Sequence, residues 1–251
     1  MITDSKCIQG FIRLCTDGYA QGWHERNGGN LTYRMSEDEV LECKAYFKYD
    51  RPWIDMGVEA DNLKGEYFIS TGSGKFMRNV SLEPSANIGI VEINEKGNAY
   101  RIVWGLENGA KPTSEFPSHF LNHSVRKKVT GGLNRVIYHC HSTNLIALTF
   151  ILPLTDRDFS RVLWKSMTEC PVIFPEGVVK WMVPGGSEIA LATSKLMEKY
   201  QAAIWAHHGL FVSGPDFDTT FGLAHTIEKS AEIYLKILST GKDILQTITD
   251  D

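Results

Sequence analysis

The sequence predicts a layered α/β domain around a mixed sheet. Short apolar runs of strand character recur along all 251 residues, segments with helical spacing lie between them, and one pair of runs is joined by a tight hairpin turn. A purely doubly wound sheet would have no such hairpin, because parallel neighbours need a long crossover. No repeat, low-complexity tract or linker-like Pro/Ser run interrupts the pattern, so residues 1–251 are read as one domain.

Residues 4–23 carry Ile8, Phe11, Ile12, Cys15, Tyr19 and Trp23 at helical spacing and are expected to form an amphipathic helix. Asn27-Gly28-Gly29-Asn30 then breaks the chain ahead of a strand at 31–35. A strand at 66–70 runs into Thr71-Gly72-Ser73-Gly74-Lys75, and residues 87–93 and 98–104 form the hairpin around Asn94-Glu95-Lys96-Gly97. A helix is expected at 114–128, a strand at 136–141 and a helix from Thr143 onward. Further strands are placed at 172–174, 203–206 and 210–213. Ser187 is expected to cap one late helix, and Asp218 the last one, which runs to Leu238.

Composition narrows the functional classes. Apolar residues at 43% and charged residues at 22% suit a globular chain with a substantial core. A net charge of −4 offers no basic field, so neither nucleic acid nor a membrane is expected as a partner. The longest apolar stretch, near 145–154, is broken by Thr149 and Pro153 and is too short to span a bilayer. Cys7, Cys15, Cys43, Cys140 and Cys170 are odd in number, scattered and without CxxC spacing. With no basic-then-apolar start, they read as reduced thiols in a cytoplasm.

Chemistry concentrates in four places. His139-Cys140-His141 closes a predicted strand, so both imidazoles face one side, their Cα atoms about 6.6 Å apart. Two rings so placed can converge on one ion, although satisfied polar contacts at a strand end remain the alternative. His207-His208, after the run Ile204-Trp205-Ala206, could supply a third ligand and leave one coordination position open for catalysis. His24, His119, His123 and His225 fall on predicted helices and are read as structural. Thr71-Gly72-Ser73-Gly74-Lys75 is not a Walker A loop, because Ile69 and Phe76 stand where glycine and Ser/Thr are required. This loop and Asn27-Gly28-Gly29-Asn30 suit either ordinary turns or anion nests. Thr113-Ser114-Glu115 fits a helix start, or a phosphate-binding hydroxyl beside a proton-moving carboxylate.

Together these segments resemble the class II aldolase/epimerase family, and within it the branch acting on L-rhamnulose 1-phosphate. The blocks that carry the resemblance run in order along most of the chain. They are Gly22-Trp23-His24-Glu25-Arg26-Asn27-Gly28-Gly29-Asn30-Leu31-Thr32, Thr71-Gly72-Ser73-Gly74-Lys75-Phe76, Trp104-Gly105-Leu106 and Thr113-Ser114-Glu115. They continue through His139-Cys140-His141-Ser142-Thr143-Asn144-Leu145, Thr168-Glu169-Cys170, Trp181-Met182-Val183-Pro184-Gly185, and His208-Gly209 with Ser213-Gly214-Pro215. The resemblance implies a three-layer α/β/α domain with a mixed, largely antiparallel sheet, a homotetramer, and active sites at subunit boundaries. It implies one Zn2+ per subunit on His139, His141 and His208, which makes His207 only a neighbour. It implies a small phosphorylated ketose as substrate, cleaved reversibly to dihydroxyacetone phosphate and L-lactaldehyde. Asn27, Gly28, Asn30, Ser73, Gly74 and Ser114 match the family's phosphate pocket. Glu115 matches its proton-transferring carboxylate, and Glu169 is placed near the aldehyde end, from a neighbouring subunit. Close members of the family continue into a helical tail beyond Thr247-Ile248-Thr249, and the departure at Gly186-Ser187 is expected to change only a helix cap. Fuculose phosphate aldolase and ribulose phosphate 4-epimerase would share the metal and phosphate parts. A scaffold such as the adducin head needs no metal triad, and the three histidines argue against it.

Overall fold

The computed structural model describes residues 1–170, 177–180, 182 and 187–248. Helix α1 is Lys6–Ala20, strand β1 Asn30–Arg34, helix α2 Glu37–Cys43, strand β2 Ile54–Asp55 and strand β3 Tyr67–Thr71. One turn of helix, α3 (Pro84–Asn87), leads into the hairpin of β4 (Ile88–Ile93) and β5 (Ala99–Gly105). Then follow α4 (Phe116–Val129), β6 (Val136–Cys140), α5 (Thr143–Leu148), α6 (Asp156–Ser166) and β7 (Gly177–Val179). Helix α7 (Ser187–Met197), the strands β8 (Ala202–Trp205) and β9 (Gly209–Gly214), and the long α8 (Phe217–Leu238) complete the order.

The strands form one sheet in the order β2-β5-β4-β3-β1-β6-β9-β8-β7. Every described pairing is antiparallel except β7 with β8, so the sheet is mixed and largely antiparallel as expected. Helices α1, α5, α6 and α8 cover one face, while α4 and α7 cover the other. Strand β6 lies between the layers and is buried throughout, which is why its sequence shows no apolar/polar alternation. Val136, Tyr138 and Cys140 point into the core under α8, and Ile137 into the core with Trp205 and Phe211 under α7.

Local chemistry sets the boundaries. In α1, Ile8, Phe11, Leu14 and Cys15 are buried at helical spacing, but the helix stops at Ala20, short of the expected end at residue 23. Tyr19 is 39% exposed, with Arg78 over its ring at 5.6 Å. The expected cap of α8 needs correction: Asp216, not Asp218, is the N-cap, accepting from Thr219 N at 2.7 Å. The helix starts early because Phe217 packs edge-on against Phe11 and tilted against Tyr33, with ring centres 6.1 and 4.7 Å apart. Asp218 then falls in the first turn and pairs with Arg13. Helix α2 begins on a capping box, Ser36 accepting from Glu39 N while the Glu39 carboxylate accepts from Ser36 N. The strand expected at 172–174 lies outside the described residues, and Ser187, expected as a cap, is instead the first residue of α7. Among the described residues, no helix is long and apolar enough to cross a membrane.

Candidate active site

Antiparallel pairing brings four chain segments to one end of the sheet. Asn30, which opens β1, sits opposite His139 near the end of β6. Thr71 ends β3 beside Leu31, its hydroxyl oxygen accepting from Leu31 N at 3.2 Å. Strand β9 opens at Gly209, next to the end of β6, and His208 immediately precedes it. A Cβ at Gly209 would stand 2.3 Å from the Cys140 carbonyl oxygen, so only glycine lets the two strands approach here. Residues 111–113 run alongside 71–73, with Ser73 N on Lys111 O at 2.9 Å and Thr113 N on Thr71 O at 2.8 Å. That contact delivers Ser114 and Glu115 to the same place.

The result is a pocket of about 190 Å³. Its lining includes His139, His141, His208, Glu115 and Asn30, and the turns Asn27-Gly28-Gly29 and Gly72-Ser73-Gly74 with Thr113 and Ser114. Asn27, Ser73, Gly74 and Ser114 form an exposed polar rim, while Glu115 and His139 are buried. Glu169 is exposed on the protein surface and does not line this pocket. His207 turns away, its Nδ1 3.0 Å from the Thr149 hydroxyl and its ring against Phe150.

The three histidines each direct a ring nitrogen to one point, and the three atoms lie within 4.8 Å of one another. His139 donates Nδ1–H to the Leu210 carbonyl at 3.0 Å, leaving the Nε2 lone pair facing the pocket. That nitrogen is 3.3 Å from His208 Nε2. Two nitrogens bound to one tetrahedral ion at about 2.0–2.1 Å would be separated by roughly 3.3–3.4 Å, so the spacing fits a shared cation. Burial holds the His139 imidazole well below its usual range and lowers His208 to about 4, so both rings are neutral and can offer a lone pair to a cation. His208 Nδ1 is buried without a partner in this single chain. His141 is oriented from outside by Glu25, whose carboxylate lies 2.6 Å from its Nδ1.

Glu115 occupies the cap position of α4 but makes no cap bond. Its side chain turns into the pocket instead, Oε2 accepting from the Asn30 amide at 2.7 Å and lying 4.0 Å from His139 Nε2. Burial raises its pKa above the ordinary carboxylate value, with the Asn30 hydrogen bond pulling the other way.

Of the histidines read as structural, His24 needs a correction of place, not of role, and His119 reaches the pocket. His24 is not helical but sits in the turn after α1, with Nδ1 3.0 Å from Gly28 O and Nε2 2.7 Å from the Tyr138 hydroxyl. His119 is helical, yet it touches Asn30 of the pocket. The signal was available: Glu115, His119 and His123 recur every four residues, which places them on one face of α4.

The family model for the class II aldolase and adducin N-terminal domain matches residues 9–235. The chain is 50% identical to a rhamnulose-1-phosphate aldolase of Klebsiella pneumoniae, over all of this chain and 91% of that protein. It is also 50% identical to one of Salmonella schwarzengrund, over 99% of this chain and 90% of that one. Among solved structures, a sugar-phosphate aldolase from Thermotoga maritima superposes with a TM-score of 0.81 at 28% identity, covering 95% of this chain and 97% of that one. The chain belongs to the class II aldolase and adducin N-terminal domain family.

Proposed function

We propose that this protein is a lyase, a metal-dependent aldolase that reversibly cleaves L-rhamnulose 1-phosphate to dihydroxyacetone phosphate and L-lactaldehyde. The observation that carries the reading is one pocket joining a histidine triad, a buried carboxylate and two glycine-rich turns. Half of all residues are identical to the named relatives, along the whole chain.

His139, His141 and His208 hold the cation, and three imidazoles suit zinc, one ion per subunit. When bound, zinc supplies Lewis-acid stabilisation of charge developing on substrate oxygens. The remaining chemistry belongs to side chains. Asn27, Asn30, Ser73 and Ser114, with the turns at Gly28 and Gly74, bind the phosphate at the open rim. Glu115 moves the proton at C3 of the dihydroxyacetone phosphate part, and its burial makes it a better base than a solvated carboxylate. Glu169 serves the aldehyde end of a neighbouring subunit's pocket, which its exposed position on this chain permits. The enzyme works as a cytoplasmic homotetramer in carbohydrate degradation, each chain one catalytic domain. Phe150 and Ile151, 69% and 55% exposed, offer apolar surface for such assembly.

The test measures dihydroxyacetone phosphate released from L-rhamnulose 1-phosphate and from L-fuculose 1-phosphate, and epimerisation of L-ribulose 5-phosphate at C4, in parallel. Fastest release from the first is expected. Equal or greater turnover of either other sugar would reassign the substrate.

A further inference from the structure

A line of buried polar side chains leads from the interior of α4 to Glu115. His123 Nε2 and His119 Nδ1 each lie 2.8 Å from the Thr32 hydroxyl oxygen. His119 Nε2 contacts Asn30 Oδ1, and the Asn30 amide donates to Glu115 Oε2 at 2.7 Å. His119 and Thr32 have no exposed surface, and His123 is 1% exposed.

The inventory of donors and acceptors gives this line a direction. Asn30 Oδ1 can only accept, so His119 presents Nε2–H to it and keeps a lone pair on Nδ1. The Thr32 hydroxyl donates to that lone pair, and its oxygen accepts from His123 Nε2–H. Each bond therefore points the same way, from His123 through Thr32, His119 and Asn30 to the carboxylate. Both imidazoles must be neutral for this, and burial lowers His119 to about 3 and His123 well below its usual range. His123 Nδ1, which has no partner, is then a bare lone pair that ends the line beside Phe68. Turning the Asn30 amide over would set its oxygen against an ionised carboxylate and its NH2 against an N–H, losing two hydrogen bonds at once. The observed orientation also leaves the second amide hydrogen of Asn30 free for an anion in the pocket.

Packing alone does not ask for these groups. Phe116 and Phe120, on the same helix, are buried apolar residues, and two imidazoles with a hydroxyl cost desolvation unless every polar contact is used. We propose that His119 is a positioning residue for proton transfer, locking the Asn30 amide so that its NH2 faces Glu115, with Thr32 and His123 fixing the His119 tautomer. This rests on the reading of Glu115 as the proton-transferring carboxylate.

The test follows hydrogen exchange at C3 of dihydroxyacetone phosphate in deuterated water, with metal content measured on each sample. His119→Phe keeps ring packing against Phe211 and all three metal ligands, but removes the donor to Asn30. It should bind metal as the parent does and exchange on the order of 10²-fold more slowly, the usual effect of a misplaced catalytic group. His119→Gln restores an N–H near the Nε2 position and should recover most of the rate. Histidine 15N resonances of the unmodified holoenzyme give an answer that does not depend on any variant folding: His119 should be the Nε2–H tautomer. An Nδ1–H tautomer, a His119→Phe enzyme exchanging at the parent rate, or a His119→Gln enzyme as slow as His119→Phe would each overturn the proposal. Parent and Glu115→Gln enzymes are run beside these. A parent that does not exchange, or a Glu115→Gln enzyme that exchanges normally, sinks the reading of Glu115 itself.

Discussion

Glu115 illustrates how much one residue's role depends on what its neighbours leave it free to do. A glutamate at a helix start ordinarily stabilises the helix dipole, yet here the carboxylate bonds Asn30 and sits beside His139. If it transfers the C3 proton, Glu115→Gln should retain metal and slow exchange of dihydroxyacetone phosphate by about 10²–10⁴-fold. A folded, metal-loaded Glu115→Gln protein exchanging at the parent rate would move the role elsewhere, with Glu169 next to be tried. Gly28 bears on the neighbouring ligand. A Cβ there would lie 2.8 Å from His141 Cε1 and 2.9 Å from its Nδ1, the nitrogen facing Glu25. Gly28→Ala should therefore displace His141 and weaken metal binding by roughly 10–100-fold, the range seen when support behind a ligand is lost. Unchanged metal affinity would show that His141 has another rotamer to use. At this scale much of the site was legible: HxH at a strand end, a second histidine after an apolar strand, and paired glycine-rich turns. Glu25 was not, because its importance lies in a contact with a residue 116 positions away, and for His119 the spacing showed only a place on the face of α4 that carries Glu115, not the contact with Asn30, 89 positions away.

Elements show where local chemistry suffices and where packing decides. Strands β4 and β5 flank a turn whose Asn94 side-chain oxygen accepts from Asn98 N and Ala99 N at 3.0 and 3.2 Å, so residues within the turn carry the signal. The capping box of α2 was equally local, Ser36-Glu37-Asp38-Glu39 spelling it in full, yet the reading gave no helix there. Helix α6 was missed as well, although Thr155 caps it through Asp158 N. The start of α8 was misplaced by two residues because Asp216 and Asp218 are chemically equivalent candidates. The choice between them comes from Phe217 packing on Phe11 and Tyr33, contacts that only the folded chain makes. Asp216→Ala should thus cost about 1 kcal/mol, the usual loss for a capping residue. Asp218→Ala, which loses only an exposed pair with Arg13, should stay within about 0.5 kcal/mol. Denaturant melts of both variants compare them directly, and a larger loss for Asp218→Ala would contradict the assigned cap.

For the molecule as a whole, the site joins segments that the chain otherwise holds apart. His139 and His141 lie at the end of β6, whereas His208 lies in the turn between β8 and β9, with α5, α6 and α7 intervening in sequence. A cation held by all three ties the central strand to the β8–β9 hairpin in the native state, and the unfolded chain has no equivalent site. Binding free energy therefore becomes folding stability. With free metal about 1,000-fold above its dissociation constant, the gain is about 4.1 kcal/mol. In a domain of this size each kcal/mol shifts the melting temperature by about 2–4 °C. Exhaustive chelation should accordingly lower it by roughly 8–16 °C, and adding zinc back to the same free concentration should restore it. His208→Ala supplies the control: it removes a ligand position from the turn, together with one ring contact to Trp205 at 5.1 Å, and keeps both partners of the Trp205–Phe211 stack, 5.0 Å apart. That variant should melt near the chelated parent and respond little to either chelator or zinc. A parent whose melting temperature ignores measured loss of metal would show that the triad does not bridge the strands energetically. A His208→Ala protein that still gains the full shift with zinc would place the stabilising cation at some other site.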